Sequence, residues 1–323
     1  MSPSPPSSGI AFMHRAIRVA LGLGRTDAID ASHWARVRRL NLRFGRSRIT
    51  EAEVGWLNSP RRGLRNLRSL CLDECQVGDA AAELLAWPGR PLQGLRALSL
   101  ARTQVTDAAA GEIAWPSTGL PELRHLVLRD TEITDDGFDA LASPESCLRS
   151  LRSLDLGGTL LSYCAFDDVF KRKESALVEL RRLDLSGTGI DDWALTACGY
   201  AVSDALPKLR WLSVASTSVD DEGVAEFART EALAGSKLRH LDLSGTYASG
   251  VFLRLLRRDR RALSSLQSLR LSWQTGTIEG LDALRDPSLL PQLRQVDLVH
   301  NGLSDAASEL RIRPGLRFAP ATS

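Results

Sequence analysis

The sequence has few cysteines and no long apolar segment. Its 323 residues include five cysteines, an odd number at irregular spacing that does not match a disulfide framework. The apolar stretch near the N-terminus, IAFMHRAIRVALGLG, is interrupted by His14, Arg15 and Arg18 and is too short to cross a bilayer. These absences predict a soluble, cytoplasmic protein with reduced thiols and no transmembrane segment.

The chain also lacks an excess of charge of either sign. It contains 41 Lys and Arg and 39 Asp and Glu, a net charge of +2. Residues 1–66 hold twelve arginines and four acids, which leaves 29 basic residues (41 − 12) and 35 acidic residues (39 − 4) for the rest. Because the basic excess is confined to one end, the composition does not favour a nucleic-acid partner.

What the sequence does contain is one spacing of leucines, repeated along the chain. In LRRLDLSGT the three leucines Leu180, Leu183 and Leu185 stand at offsets 0, 3 and 5. Related segments begin at Val37, Leu67, Leu95, Leu123, Leu151, Leu180, Leu209, Leu238, Leu266 and Leu293, with a truncated LRF at Leu316. Most of these starts are 28 or 29 residues apart, which predicts stacked repeats that bury their leucines against one another.

This spacing resembles the leucine-rich repeat pattern L-x-x-L-x-L-x-x-N/C-x-L, and the period is similar to that of the ribonuclease-inhibitor-like class. A threonine stands where that pattern has Asn or Cys, which resembles a Thr-type bacterial variant of the repeat; its positions are Thr103, Thr131, Thr159, Thr188, Thr217 and Thr246. The resemblance implies an α/β fold: a horseshoe-shaped leucine-rich repeat solenoid of about ten repeats. A parallel β-sheet would line the concave face and helices the convex face.

The positions of the repeats predict the domain organisation. We expect a disordered Pro/Ser-rich tail over residues 1–10, a helical N-terminal cap over 11–36, and a leucine-rich repeat domain over 37–323 whose truncated last repeat begins at about 316. An amphipathic helix on a membrane surface is the alternative for the cap, since arginines and apolar residues alternate there. We favour the cap, which covers the open end of the core.

For polar residues that recur at fixed repeat positions, we favour a structural role over a binding role. Asp191 and Asp192 open a segment typical of a helix start, so we interpret them as helix caps. An arginine follows the first leucine of almost every repeat, as at Arg181 and Arg210. This arginine row could bond loop carbonyls and neighbouring acids, or hold an acidic partner. Its presence in almost every repeat favours the structural role.

The residues that alternate with the inward leucines should face solvent, and one group of them is distinctive. Trp211 stands where most repeats carry a small polar residue, and Arg182 and His240 are its neighbours in the same column. An aromatic side chain rimmed by charges is typical of an interface hot spot, although Trp211 could instead cover the adjacent strand. The candidate partner-binding residues are Trp211, Arg182, His240, Asp184, Asp242, Asp155, His125 and Arg129.

The sequence shows no catalytic pattern. His125 and His240 fall four repeats apart, roughly 19 Å at strand spacing, which is too far to share a metal ion. LGLGRTDA near residue 21 lacks the ending of a phosphate-binding loop. The basic runs starting at Lys171 and Arg254 lack interleaved aromatics and are interpreted as solvated helix faces, which again disfavours nucleic acid.

We therefore predict a monomeric, non-catalytic protein that binds a partner protein through its concave sheet, with no cofactor and no metal. The alternative is a regulator of an enzyme. It would act either as an inhibitor by occlusion, as the family resemblance implies, or as a GTPase-activating type of protein.

Overall fold

The computed structural model describes residues 8–24, 27, 29–43, 49–59, 64–167, 169, 174–230, 233, 236–258, 263–272, 280–298 and 316–318. Its contacts divide the chain into two units, Met1–Leu154 and Asp155–Ser323. Lys171 and the residues from 259 to 261, which belong to the two basic runs, lie outside the described residues. No helix in the described part of the chain is long and apolar enough to cross a membrane.

Two helices precede the first strand, α1 (Ser8–Leu21) and α2 (Ala31–Arg36). Met13 and Ile17 of α1 are fully buried, and the helix packs against the first strand. The apolar face of α1 is thus occupied by packing within the unit. Because α1 begins at Ser8, residues 8–10 of the expected tail are helical, and residues 1–7 lie outside the described residues.

Three aromatic rings hold this N-terminal end together. The His14 ring lies 5.7 Å from Trp34 and from Trp56 between ring centroids, and the two tryptophans are 5.3 Å apart in an edge-to-face arrangement. Each residue comes from a different helix, so the cluster joins α1 and α2 to the first repeat.

The first unit is an array of parallel strands that pair in chain order, with a leucine in register at the centre of each. The strands are β1 (Arg39–Asn41), β2 (Ser69–Cys71), β3 (Ala97–Ser99) and β4 (His125–Val127). The helices after them are α3 (Glu51–Leu57), α4 (Asp79–Ala86), α5 (Asp107–Ala114) and α6 (Asp135–Ala142), with a short 3-10 helix at Pro91–Gly94. Strand β5 (Ser153–Asp155) contains the boundary between the units.

The second unit repeats this arrangement. Its parallel strands, also paired in chain order, are β6 (Arg182–Asp184), β7 (Trp211–Ser213), β8 (His240–Asp242), β9 (Ser268–Arg270), β10 (Gln295–Asp297) and β11 (Arg317–Phe318). Its helices are α7 (Asp192–Asp204), α8 (Asp221–Arg229) and α9 (Phe252–Leu255), with 3-10 helices at Leu256–Arg258 and Leu281–Arg285. The predicted α/β leucine-rich repeat fold is confirmed.

The leucine spacing is explained by burial. Leu180, Leu183 and Leu185 are each at most 1% exposed, with Leu183 inside β6 and the other two beside it. Burying one such side chain contributes about 1.5–3 kcal/mol, and the same three positions are buried repeat after repeat. Each unit is therefore stabilised by a column of leucines between its strands and helices.

A threonine after each of the strands β3 to β8 closes a turn. The Thr188 hydroxyl donates a hydrogen bond to the carbonyl of Leu185 at 2.6 Å, and Thr217 donates to Val214 at the same distance. Equivalent bonds are made by Thr103, Thr131, Thr159 and Thr246. All six threonines are buried, so each hydroxyl provides a hydrogen-bond donor to a carbonyl inside the fold.

An aspartate at the first position of a helix reaches into the following repeat. Asp79 of α4 accepts hydrogen bonds from the backbone N–H groups of Thr106 (2.8 Å) and Ala109 (3.2 Å) at the start of α5. Asp107 accepts the N–H of Thr134 in the same way, at 2.7 Å. Each carboxylate therefore satisfies amides at the start of the next helix, which have no partner within that helix.

The second unit uses the same device. Asp192 accepts from the N–H of Asp220 at 2.9 Å, whereas Asp191 caps its own helix by accepting from the N–H of Ala194 at 3.0 Å. Both aspartates thus cap helices, as predicted, although Asp192 caps the helix of the next repeat. Asp221 accepts from the N–H of Gly250 in the next repeat at 3.0 Å. We call Asp79, Asp107, Asp192 and Asp221 the cross-repeat aspartates.

Candidate partner-binding surface

Strands β6 to β9 place most of the candidate residues in two rows. Arg182, Trp211 and His240 are paired in register in the first row, and Asp184, Ser213, Asp242 and Arg270 form the second. Adjacent strands are about 4.8 Å apart, so Arg182 and His240 flank Trp211 directly. We call the side of β6–β9 that carries these two rows the strand face.

Trp211 is half-buried and lies beneath an arginine. The guanidinium carbon of Arg182 is 3.5 Å from the centroid of the Trp211 ring, a cation–π contact. One face of the Trp211 ring is therefore covered by a residue of the adjacent strand, as the structural alternative predicts for Trp211. The contact also fixes the position of Arg182, whose side chain remains half exposed.

The aspartates do not surround Trp211 as expected. Asp184 and Asp242 are 7% and 9% exposed, and each accepts a hydrogen bond from the backbone two residues on, at Ser186 (3.1 Å) and Ser244 (3.0 Å). Asp155 accepts from Gly157 at 3.0 Å in the same way. The prediction that Asp184 and Asp242 form an exposed rim is wrong. A short carboxylate at a strand end reaches its own turn more readily than solvent.

An arginine that we did not select from the sequence lies beside these acids. Arg270 Nη1 is 3.4 Å from Asp242 Oδ2, and Arg270 Nε is 3.7 Å from Asp297 Oδ2. In the sequence, Arg270 stands out because the equivalent position of most other repeats holds a small or an acidic residue. The carboxylates thus lie at the base of the strand face, and the guanidinium group extends toward solvent.

The arginine row divides into two kinds of residue. Arg68 Nη1 donates to the carbonyl of Gly94 at 3.0 Å, and Arg181 Nε is buried with no hydrogen-bond partner among the described residues. Arg210 and Arg239, in contrast, are exposed and form no ion pair within the described part of the chain. The structural role therefore applies at Arg68, and Arg210 and Arg239 remain accessible at the start of β7 and β8.

The two histidines are held in the neutral form. Burial lowers the pKa of His240, and the charges of Arg239, Arg270 and Arg182 lower it further. In the first unit, burial and then Arg152 and Arg124 lower the pKa of His125. His125 is exposed and Arg129 half-buried, and both belong to the first unit, whereas Trp211 belongs to the second.

The described residues contain no group of three His, Cys, Asp or Glu side chains placed to hold a metal ion. Burial raises the pKa of Cys71 to about 11 and that of Cys75 to about 12, so both thiols are protonated at neutral pH. A depression of about 360 Å³ lies along the turns of the second unit; it is lined by Thr188, Ser216, Thr217, Ser218, Gly245, Thr246 and Tyr247. The hydroxyls of its three threonines already donate hydrogen bonds to carbonyls, so their protons are not available to a ligand.

Residues 120–142 match the family described as Leucine Rich repeat. No curated protein matches the chain significantly in sequence. Among solved structures, the chain is similar to an internalin C2 from Listeria monocytogenes, with 19% identity, coverage of 82% of this chain and 93% of that one, and a TM-score of 0.49.

Two further solved structures are similar. An internalin (inlF) from Listeria monocytogenes has 14% identity over 98% of this chain and 96% of that one, with a TM-score of 0.46. A chain of the octameric complex of Latrophilin 3, Unc5D and FLRT2 (LRR) has 16% identity over 91% and 85%, with a TM-score of 0.47.

Proposed function

We propose that this protein binds a partner protein through the strand face of β6–β9 and has no catalytic activity of its own. Leucine-rich repeat proteins commonly mediate protein–protein interaction, and residues 120–142 match that family. The observation that supports the surface is the half-buried Trp211 ring, held in place by Arg182 and bordered by exposed arginines. A fixed aromatic side chain beside arginines has the composition of an interface hot spot.

The proposed site is narrower than the set of candidate residues. Arg182, Trp211 and His240 form its centre, and Arg270 joins them. Asp184, Asp242 and Asp155 accept hydrogen bonds from the turns that follow their strands. They contribute to the site by fixing the shape of its backbone. We place His125 and Arg129 outside this centre. An inhibitor that acts by occlusion would use the same surface, so the activity of any enzyme captured with the protein should be assayed with and without it.

We further propose that the protein acts in the cytoplasm, as a monomer of the ribonuclease-inhibitor-like class. All five cysteines are unpaired, which favours a reducing compartment. The repeat length of 28 or 29 residues supports the class. Sedimentation of the purified chain under reducing conditions tests the oligomeric state directly.

The surface is tested by affinity capture from the source organism with the wild-type protein, Trp211→Ala and Arg182→Ala. We expect at least one captured protein to be lost with both variants, because truncating a hot-spot residue costs about 2 kcal/mol or more, roughly a thirtyfold loss of affinity. Trp115→Ala is the matched control, since Trp115 is also exposed but lies on the first unit. Equal recovery of every protein with all variants would refute the proposed surface.

A further inference from the structure

Positive and negative groups on the strand face lie at different depths. The side chains of Arg182 and Arg270 are each 51% exposed, whereas those of Asp184, Asp242 and Asp297 are only 10%, 12% and 17% exposed. The carboxylates are held from below by backbone N–H groups or hydroxyls, as in the bond from Ser272 Oγ to Asp297 at 3.0 Å. What an approaching molecule meets first is therefore guanidinium.

Two further arginines are exposed at the starts of strands in this group. Arg210 and Arg239 directly precede β7 and β8 and are exposed, with no ion pair within the described residues. At about 4.8 Å between strands, Arg182, Arg210, Arg239 and Arg270 span four consecutive strands, a width of roughly 15 Å. Arg210 and Arg239 adjoin Trp211 and His240 in the chain, and the charge of Arg239 acts on His240.

From this arrangement we propose that the partner presents a cluster of carboxylates, as on an acidic peptide segment, to the strand face. The inference rests on the proposed function and names the chemistry of the partner. The planar guanidinium group binds carboxylates in a two-pronged geometry. Arg182 and Arg270 are already oriented by Trp211 and by the acids beneath them, so less side-chain entropy is lost when the partner binds.

The state of His240 agrees with a positive surface. The three charges that lower its pKa are all arginines, Arg239, Arg270 and Arg182, so their combined field is positive at the centre of the strand face. The imidazole remains neutral at neutral pH and offers one donor and one acceptor there.

An acidic peptide fits this surface better than a nucleic acid. Proteins that bind single strands use successive aromatic platforms on which the bases stack. Here Trp211 is the one aromatic residue with a large ring in the two rows of β6–β9, and Arg182 already covers a face of that ring. The exposed arginines are therefore not accompanied by the stacking surfaces that bases require.

The test measures binding of fluorescein-labelled decaglutamate by anisotropy, with decaglutamine and the oligonucleotide dT10 as comparison probes. We expect decaglutamate to bind the wild-type chain, and the variant Arg210→Gln/Arg239→Gln to bind it about fivefold to tenfold more weakly, since it removes two exposed cations that can pair with glutamates. The matched control is Arg96→Gln/Arg152→Gln. It removes two exposed arginines of the same row in the first unit, and should change the affinity less than twofold.

Three results would overturn the inference: no binding of decaglutamate at low salt, equal weakening by both double variants, or tighter binding of dT10 than of decaglutamate. Its failure can be distinguished from failure of the proposed function. If a captured partner is lost with Trp211→Ala but retained with Arg210→Gln/Arg239→Gln, the strand face binds a protein whose contact is not acidic. If no captured partner depends on Trp211, the proposed function itself fails.

Discussion

Two helical glycines of this chain leave room for a carboxylate from the preceding repeat. A side chain at Gly223 would place its Cβ 2.6 Å from the Cβ of Asp192 and closer still to its carboxyl group. Gly137 stands in the same relation to Asp107 in the first unit. Both acids are cross-repeat aspartates, so these glycines are required by hydrogen bonding between neighbouring repeats.

We expect Gly223→Ala to lower the free energy of unfolding by about 1–3 kcal/mol, because the methyl group overlaps a side chain held by its own hydrogen bond. Gly111→Ala is the control: Gly111 is also helical, but a methyl group on its Cα would have no atom within 4 Å, so alanine should be neutral or stabilise by up to about 1 kcal/mol. Urea denaturation measures both. Similar effects at the two positions would contradict the explanation.

The histidines predict a loss of stability at acid pH. The pKa of His125 and of His240 is lowered in the folded protein, while in the unfolded chain each is near 6.5. The unfolded state therefore binds protons first on acidification. The contribution of these groups to stability is fully present above pH 6.5 and decreases as the pH falls below that value.

NMR titration of the histidine ring protons measures both groups in one experiment. We expect a pKa below 6.5 for each, and Arg239→Gln should raise the pKa of His240, because it removes one of the charges that disfavour the imidazolium. The pKa of His125 should not change, since burial and other arginines, Arg152 and Arg124, lower it. A pKa of His240 that does not respond to this variant would show that Arg239 does not contribute to its shift.

At the scale of the secondary-structure element, several helix starts are completed by a carboxylate of the preceding repeat. Asp221 accepts hydrogen bonds from the backbone N–H groups of Ser249 (3.0 Å), Gly250 (3.0 Å) and Phe252 (2.9 Å), and from the Ser249 hydroxyl at 2.7 Å. One carboxylate thus organises the turn and the short helix α9 that follows. This helix has only four residues and would not persist on its own propensity.

Asp221→Ala should therefore lower the free energy of unfolding by about 2–4 kcal/mol, because several N–H groups lose a charged acceptor. Glu222→Ala is the control in the same first turn of α8, since the Glu222 side chain is exposed and makes no hydrogen bond among the described residues. Hydrogen exchange at Gly250 and Phe252 should accelerate with the first variant only. Unchanged exchange at both amides would refute the role given to Asp221.

The sequence predicted the positions of strands and helix starts better than it predicted how deeply their side chains are buried. The leucine spacing located every strand from β1 to β11, and the cap residues located helix starts such as Asp192. Period-two alternation tells which side of a strand a residue faces, but not whether its side chain then bends back to its own turn. Asp184 and Asp242 show this, since they were placed on the correct side of the sheet and are nevertheless buried.

The candidate site was predictable in part for the same reason. Trp211, Arg182 and His240 share a column of the repeat alignment, and strands in register bring a column together. Arg270 stands in the next column and three repeats after Arg182, so only the observed distances to Asp242 and Asp297 associate it with them. The repeat alignment also gave no reason to separate Arg210 and Arg239 from Arg68.

At the scale of the whole molecule, a stack of repeats exposes apolar surface at an end unless something covers it. In the first unit α1 packs against β1 and α2 packs against α1, and Trp34, which is 5% exposed, joins them to Trp56 of the first repeat. The helices ahead of the first strand therefore belong to the folded core of that unit.

Trp34→Ala should lower the free energy of unfolding by about 3–5 kcal/mol, the usual effect of removing a large buried aromatic side chain. Trp87→Ala is the control, because Trp87 belongs to the same unit and is half exposed; it should cost less than about 1 kcal/mol. Thermal unfolding followed by circular dichroism compares the two. Equal destabilisation would mean that the N-terminal helices are not part of the core.

The cross-repeat aspartates give each unit a direction. A helix start depends on an acid that comes earlier in the chain, and the repeat that supplies the acid gains no equivalent bond in return. Shortening a unit from its C-terminal side therefore leaves every surviving helix with its acceptor, whereas shortening it from the N-terminal side exposes a helix start whose acceptor has been cut away. Fragments of equal length from the two sides should differ in how well they fold, and grafted repeats should be joined so that the repeat that supplies the carboxylate always precedes the one it completes.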